Sequence, residues 1–163
     1  MLISKEMEQA INAQIGREFA AALQYVSVAT HFDADVLPQL AGFFYRQAEE
    51  EKEHAMKLVH YLVETGAQVQ IPGIEQPKHQ FASVEEAVKL ALDWEVEVTK
   101  QINDLMDLAV KQNDHLTQNF LRWFVEEQLE EVTTMQALLR TVQRAGENLL
   151  LVEAALAQQK PGE

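Results

Sequence analysis

Apolar residues recur at alternating steps of three and four along most of the chain, the period of an α-helix with one buried face. No segment shows the alternation of β-branched residues that is typical of a strand. The pattern predicts four long helices and a short fifth. The first two cover about Ser4–His31 and Pro38–Thr65. The third begins at the capping box 83–86, the fourth runs from the polar break at 113–115 to Ala145, and the fifth covers Asn148–Gln158. A short tail, 160–163, follows.

The lengths of the breaks predict the topology. The first and third breaks are short, so the first two helices and the last two long ones should form antiparallel hairpins. The middle break, Ala67–Ala82, could span roughly 50 Å when extended, whereas a helix of about 28 residues is roughly 42 Å long. We therefore predict one all-α domain over 1–163: a four-helix bundle over about 4–145 with one long crossover between helices two and three, plus the helix at about 148–158. The leucine-rich fifth helix is expected to pack on a neighbouring subunit.

Polar residues interrupt all four predicted core stripes near the middle. The stripes are Ile11, Ile15, Glu18, Ala22 and Tyr25; Ala41, Phe44, Ala48, Glu51, Ala55, Leu58 and Leu62; Val88, Ala91, Glu95, Val98, Ile102 and Leu105; and Leu121, Phe124, Gln128, Glu131, Met135 and Leu138. Glu18 and Glu51 are 33 residues apart, as are Glu95 and Gln128. The two hairpins therefore place these groups at matching heights, and His54 shares a helix face with Glu51.

These polar groups predict a two-metal site rather than a charged surface. Glu18, Glu51 and Glu95 have no Lys or Arg three or four positions away, as an exposed helical glutamate often does. A buried carboxylate without a partner must take up a proton or bind a cation, and Glu-x-x-His in a bundle is a di-metal pattern. Tyr25, two turns beyond Glu18, is either a hydrogen-bond donor or electron source for this centre, or a core tyrosine.

A second acidic group lies on the fourth helix. Glu126, Glu127, Glu130 and Glu131 place like charges four residues apart, which destabilises a free helix. Either solvent screens them, or a further cation binds there with help from Glu50. We favour the cation.

Composition narrows the function further. The formal charge of −13 argues against a nucleic-acid partner and favours cations. The chain has no cysteine, which excludes thiolate catalysis and cysteine-ligated metals and fits a reducing compartment. No signal peptide or membrane span is evident, so we expect a cytoplasmic protein without membrane association.

The sequence resembles the bacterial non-haem ferritins, in particular those of actinobacteria. The resemblance lies in Arg17-Glu18 followed by Tyr25, the run 49–54, Trp94-Glu95 and the run 120–128. It implies a cytoplasmic iron-storage protein that assembles a hollow 24-subunit cage. Such a cage oxidises Fe²⁺ with O₂ or H₂O₂ at a ferroxidase centre and stores ferric mineral inside.

The resemblance also assigns roles to residues. Glu18, Glu51 and His54 match the ligands of a first iron, and Glu51 would bridge to a second that Glu95 holds with Gln128 nearby. Glu50, Glu127, Glu130 and Glu131 look like a third iron site, Tyr25 matches a tyrosine beside the centre, and the fifth helix would line a fourfold pore. Haem is not expected, because Lys52 stands where the related bacterioferritins have their haem-binding methionine. The alternatives are a di-metal oxidase or peroxidase of the same fold without storage, and a purely structural bundle.

Overall fold

The computed structural model describes residues 1–159, and the predicted tail at 160–163 lies outside them. The described residues form five helices and no strand, so the prediction of an all-α protein is confirmed. The helices are α1 (Lys5–Ala34), α2 (Pro38–Glu64), α3 (Val84–Lys111), α4 (His115–Ala145) and α5 (Leu149–Ala157). Within residues 1–159, none of them has both the length and the apolar character that a bilayer span requires.

The helix ends follow from local chemistry. Side chains at three N-caps accept a backbone N–H from three residues further on, in the pairs Ser4–Met7, Ser83–Glu86 and Asp114–Thr117. Gly66 and Gly146, at φ of +75° and +57°, follow the ends of α2 and α4 in a region that favours glycine. The first helix ends at Ala34 rather than near His31, because no helix-breaking residue precedes the turn at Val36, where φ is +58°.

Contacts at the helix ends establish the directions of the helices. The Leu2 amide donates to the Thr65 carbonyl at 2.8 Å, which places the start of α1 beside the end of α2. The Gln112 side chain donates to Glu6 at 2.9 Å, which places the end of α3 there as well. Helices α2 and α3 are therefore parallel, as the long middle break predicts.

The crossover between α2 and α3 runs along α1 in the direction of that helix. Asn12 accepts the amide of Gln70 at 2.7 Å, and further along α1 Gln24 accepts the amide of Lys78 at 2.9 Å. Between these points the crossover passes so close to Gly16 that a Cβ there would lie 2.2 Å from a carbon of Pro72. A glycine is therefore needed at position 16 to let the crossover pass.

The short helix α5 packs on its own bundle, against α2 and α4. Val152 is fully buried, and the Glu153 carboxylate accepts the amide of Gln39 in the first turn of α2 at 2.7 Å. One face of α5 therefore packs within its own chain, and packing on a neighbouring subunit stays a prediction for the leucines that remain exposed. Leu150 and Leu151 remain 74% and 57% exposed within the chain.

Candidate metal centre

A polar layer crosses the middle of the bundle and separates two hydrophobic clusters, one toward each end. All the stripe residues predicted from the sequence are buried. We define the polar layer as six side chains with carboxylate, imidazole or amide groups, each at most 4% exposed: Glu18, Glu51, His54, Glu95, Gln128 and Glu131. Each of the four long helices contributes at least one of them, so the centre exists only in the packed bundle.

The first group in this layer joins α1 to α2. Glu18, Glu51 and His54 each offer a ligand atom, and these atoms lie within 4.8 Å of one another. His54 Nδ1 lies 3.3 Å from Glu51 Oε2, whereas Glu18 Oε2 and Glu51 Oε1 are buried and have no hydrogen-bond partner. Because buried oxygens are normally satisfied, these two atoms fit the requirements of a bound cation.

The second group shares Glu51 with the first. Ligand atoms of Glu51, Glu95 and Glu131 again lie within 4.8 Å of one another. Two neighbours donate to Glu95: Gln128 Nε2 at 3.1 Å to Oε2, and the Tyr25 hydroxyl to Oε1. Glu51 can therefore contribute to two adjacent ions, while Tyr25 and Gln128 fix the orientation of Glu95.

A third group extends toward the surface. Ligand atoms of His54, Glu127 and Glu131 lie within 4.8 Å, with His54 Nε2 3.7 Å from Glu127 Oε1. Of the four carboxylates that the resemblance assigns to a third iron, the structure brings Glu127 and Glu131 into this group. Glu50 and Glu130 lie at its exposed edge.

Burial dominates the electrostatics of the layer. Burial is the largest cause of the raised pKa of Glu18, about 7, and of Glu131, about 9, and the charges of Glu95 and Glu50 contribute to the Glu131 shift. It also raises the pKa of Glu51 well above its usual range, with the charge of Glu95 as the next cause. The pKa of His54 falls to about 4, again through burial, so its imidazole is neutral near pH 7. A neutral imidazole is the form that binds metals, and dications would offset the cost of ionising the carboxylates.

Sequence reasoning missed Gln14. This residue is fully buried one turn before Glu18, and its Nε2 donates to Glu18 Oε1 at 2.8 Å. Its Oε1 in turn accepts Arg17 Nη1 at 3.1 Å. A polar residue four positions before a candidate ligand is the signal that could have identified it.

Comparisons of the sequence and of the structure with known proteins all point to the same family. A family model described as ferritin-like domain matches residues 8–145. The chain is similar to ferritin BfrB of Mycolicibacterium smegmatis, 46% identical over 91% of this chain and 82% of that protein. It is also similar to the bacterial non-heme ferritin of Staphylococcus aureus, 33% identical over 90% of this chain and 89% of that protein. Among solved structures, an open pore ferritin from the archaeon Archaeoglobus fulgidus superposes with a TM-score of 0.94 at 33% identity, over 98% and 99% of the two chains.

Proposed function

Because the chain belongs to the ferritin family, we propose that it oxidises Fe²⁺ at a two-iron centre inside each subunit and stores the ferric product in a cage. Membership of this family supports iron storage and ferroxidase activity in general terms. The two-iron centre, the 24-subunit assembly, O₂ or H₂O₂ as oxidant and a cytoplasmic location are our proposals for this chain.

The observation that carries the proposal is the convergence of four carboxylates and one neutral imidazole in a layer closed to water. With Glu18, Glu51, Glu95 and Glu131 ionised, two divalent ions would balance their charge. Oxygen ligands with one imidazole suit Fe²⁺ better than they suit soft, thiolate-seeking metals. Two carboxylate oxygens in this layer are buried without a hydrogen-bond partner, and a bound cation would satisfy both.

Each group in the layer receives a role in this proposal. Glu18, Glu51 and His54 hold the first Fe²⁺; Glu51 bridges to the second, which Glu95 and Glu131 hold. Tyr25 and Gln128 position Glu95 by hydrogen bonds rather than by charge. A third iron would lie among Glu50, Glu127, Glu130 and Glu131, and Glu131 belongs to both the second and the third groups. An ion leaving the second site for the third could therefore keep one ligand.

The reaction balances with these groups. Two Fe²⁺ each lose one electron, and O₂ gains two electrons and two protons to give H₂O₂. Fe²⁺ binding displaces protons from the buried carboxylic acids, which supplies protons at the site where oxygen is reduced. The adjacent sites allow both electrons to be delivered together, so no free one-electron oxygen species needs to form.

The test is aerobic addition of Fe²⁺ to the metal-free protein, followed by ferric absorbance and size-exclusion chromatography. We expect oxidation of many irons per chain, with the iron eluting on a very large assembly. Oxidation that stops at about two irons per chain, on a small oligomer or monomer, would instead identify a di-metal oxidase without storage.

A pair of variants on one helix makes this test specific. Glu51→Gln should abolish rapid oxidation, because Glu51 belongs to both the first and the second group. Glu53→Gln removes an exposed carboxylate two residues away and should oxidise Fe²⁺ at the normal rate. Anaerobic Co²⁺ titration, followed by the visible absorption of bound Co²⁺, counts the sites without turnover. Unchanged Co²⁺ binding in Glu51→Gln would contradict the assignment.

A further inference from the structure

A cavity of about 560 Å³ lies between α1 and α3 beside the crossover, and it includes no member of the polar layer. Ala20, Leu90, Trp94 and Val98 supply its apolar lining. Its size falls within the range of small-molecule sites, which bind the body of a ligand on apolar side chains and orient it with a few polar groups.

Two of the three cationic side chains that line this cavity are paired with acids. Lys78 pairs with Glu86, and Lys89 pairs with Asp93. Arg17 also lines the cavity, but within residues 1–159 no carboxylate oxygen lies within 4.0 Å of its guanidinium. A guanidinium without an acid partner at an apolar cavity is suited to bind a carboxylate.

Arg17 also connects the cavity to the metal centre. Its guanidinium donates to Gln14 at 3.1 Å, and Gln14 donates to Glu18 at 2.8 Å. Gln14 is fully buried, and its Nε2 also lies 3.4 Å from Gln101, another residue of the cavity lining. A change at Arg17 can therefore reach a carboxylate of the centre through a single amide.

We propose that this cavity binds a small organic monocarboxylate with a flat apolar body. The carboxylate pairs with Arg17, and the body lies against Trp94. A single negative charge is favoured because the remaining lining cations are already paired and Glu97 adds an acid to the lining. Binding neutralises the positive charge that opposes a cation at Glu18, so it increases affinity for the first divalent metal ion. This coupling rests on the proposed function, whereas binding in the cavity does not.

Calorimetric titration of the assembled, metal-free protein with 2-naphthoate and with neutral 2-naphthamide tests the binding. We expect 2-naphthoate to bind about threefold more tightly, because Arg17 is exposed and an ion pair in contact with solvent contributes little. Arg17→Gln should remove this preference. Arg122→Gln, which removes an exposed arginine from α4 outside the cavity, should keep it. Equal affinities for both probes, or a preference that survives in Arg17→Gln, would overturn the proposal.

A cavity-filling variant separates occupancy from any disturbance of Glu18. Leu90→Trp leaves Arg17 in place and should reduce 2-naphthoate binding by blocking the space. Unchanged binding in this variant would place the ligand elsewhere and refute the site.

Anaerobic Co²⁺ titration tests the coupling. Saturating 2-naphthoate should tighten the first Co²⁺ site about fivefold, and Co²⁺ should tighten 2-naphthoate binding by the same factor. An unchanged Co²⁺ affinity despite 2-naphthoate binding would refute the coupling alone. A protein that binds 2-naphthoate but no Co²⁺ at Glu18 would contradict the proposed function and leave the cavity site in place.

Discussion

Replacing Glu131 by Gln should stabilise the metal-free protein at neutral pH while weakening its metal binding. Glu131 is 3% exposed, and burial together with Glu95, Glu50 and Glu127 raises its pKa to about 9 from an ordinary value of 4.5. The folded state therefore binds a proton that the unfolded chain releases near pH 4.5. Stability is accordingly lost as the pH rises from about 4.5 toward about 9.

The size of this effect follows from linkage. At pH 7, roughly 2.5 units above the ordinary pKa, the carboxyl costs about 3 kcal/mol, since each unit corresponds to about 1.4 kcal/mol. At pH 5 the cost is only about 1 kcal/mol. Glutamine resembles the protonated carboxyl in shape and needs no proton, so Glu131→Gln removes this cost. At about 2–4 °C per kcal/mol for a chain of this length, Tm should rise by roughly 6–12 °C at pH 7.

The assay is thermal unfolding of chelator-treated protein at several pH values between 5 and 8, followed by circular dichroism at one protein concentration. Glu126→Gln, which changes an exposed acid on the same helix, serves as the control and should follow the parent curve. Added Co²⁺ should reverse the order, because the parent chain gains more from binding. A difference between Glu131→Gln and the parent that does not grow with pH would refute the reasoning.

Three further substitutions test the fold and the centre. Gly16→Ala should lower stability by about 1–3 kcal/mol in denaturant unfolding, because its Cβ would collide with Pro72, whereas Gly73→Ala has open space and should be much milder. Val36→Asn should raise stability by about 1 kcal/mol in the same assay, since Val36 has φ of +58°, a conformation that asparagine tolerates better. Gln128→Glu replaces an amide that donates to Glu95 with a carboxylate. The second iron should then be held more tightly, and steady-state iron turnover should slow. An unchanged turnover would count against the proposed role of Gln128.

The helices and the polar layer could be predicted from the sequence because both depend on periodicity. In a bundle, the residues that face the core recur at steps of three and four, so Glu18, Glu51 and Glu95 appear as polar interruptions of otherwise apolar stripes. The length of the break at 67–82 predicts that the chain crosses the bundle, and the structure confirms the parallel arrangement of α2 and α3.

Other contacts could not be predicted because they depend on how distant segments align. The bond from the Gln39 amide to Glu153 needs α5 to return to the start of α2. The close passage of Pro72 beside Gly16 depends on the path of an irregular segment. The link from Arg17 through Gln14 to Glu18 depends on side-chain rotamers, which the periodicity of the sequence does not predict.

The division of the polar layer between two hairpins has a consequence for the order of folding. Glu18, Glu51 and His54 belong to the α1–α2 hairpin, and Glu95, Gln128 and Glu131 belong to the α3–α4 hairpin. While the hairpins are separate, these side chains remain hydrated, so each hairpin can form from local contacts without the cost of burying charge. That cost falls on the step that docks the two hairpins. Docking should therefore be the step in folding whose rate depends most on protons and divalent ions.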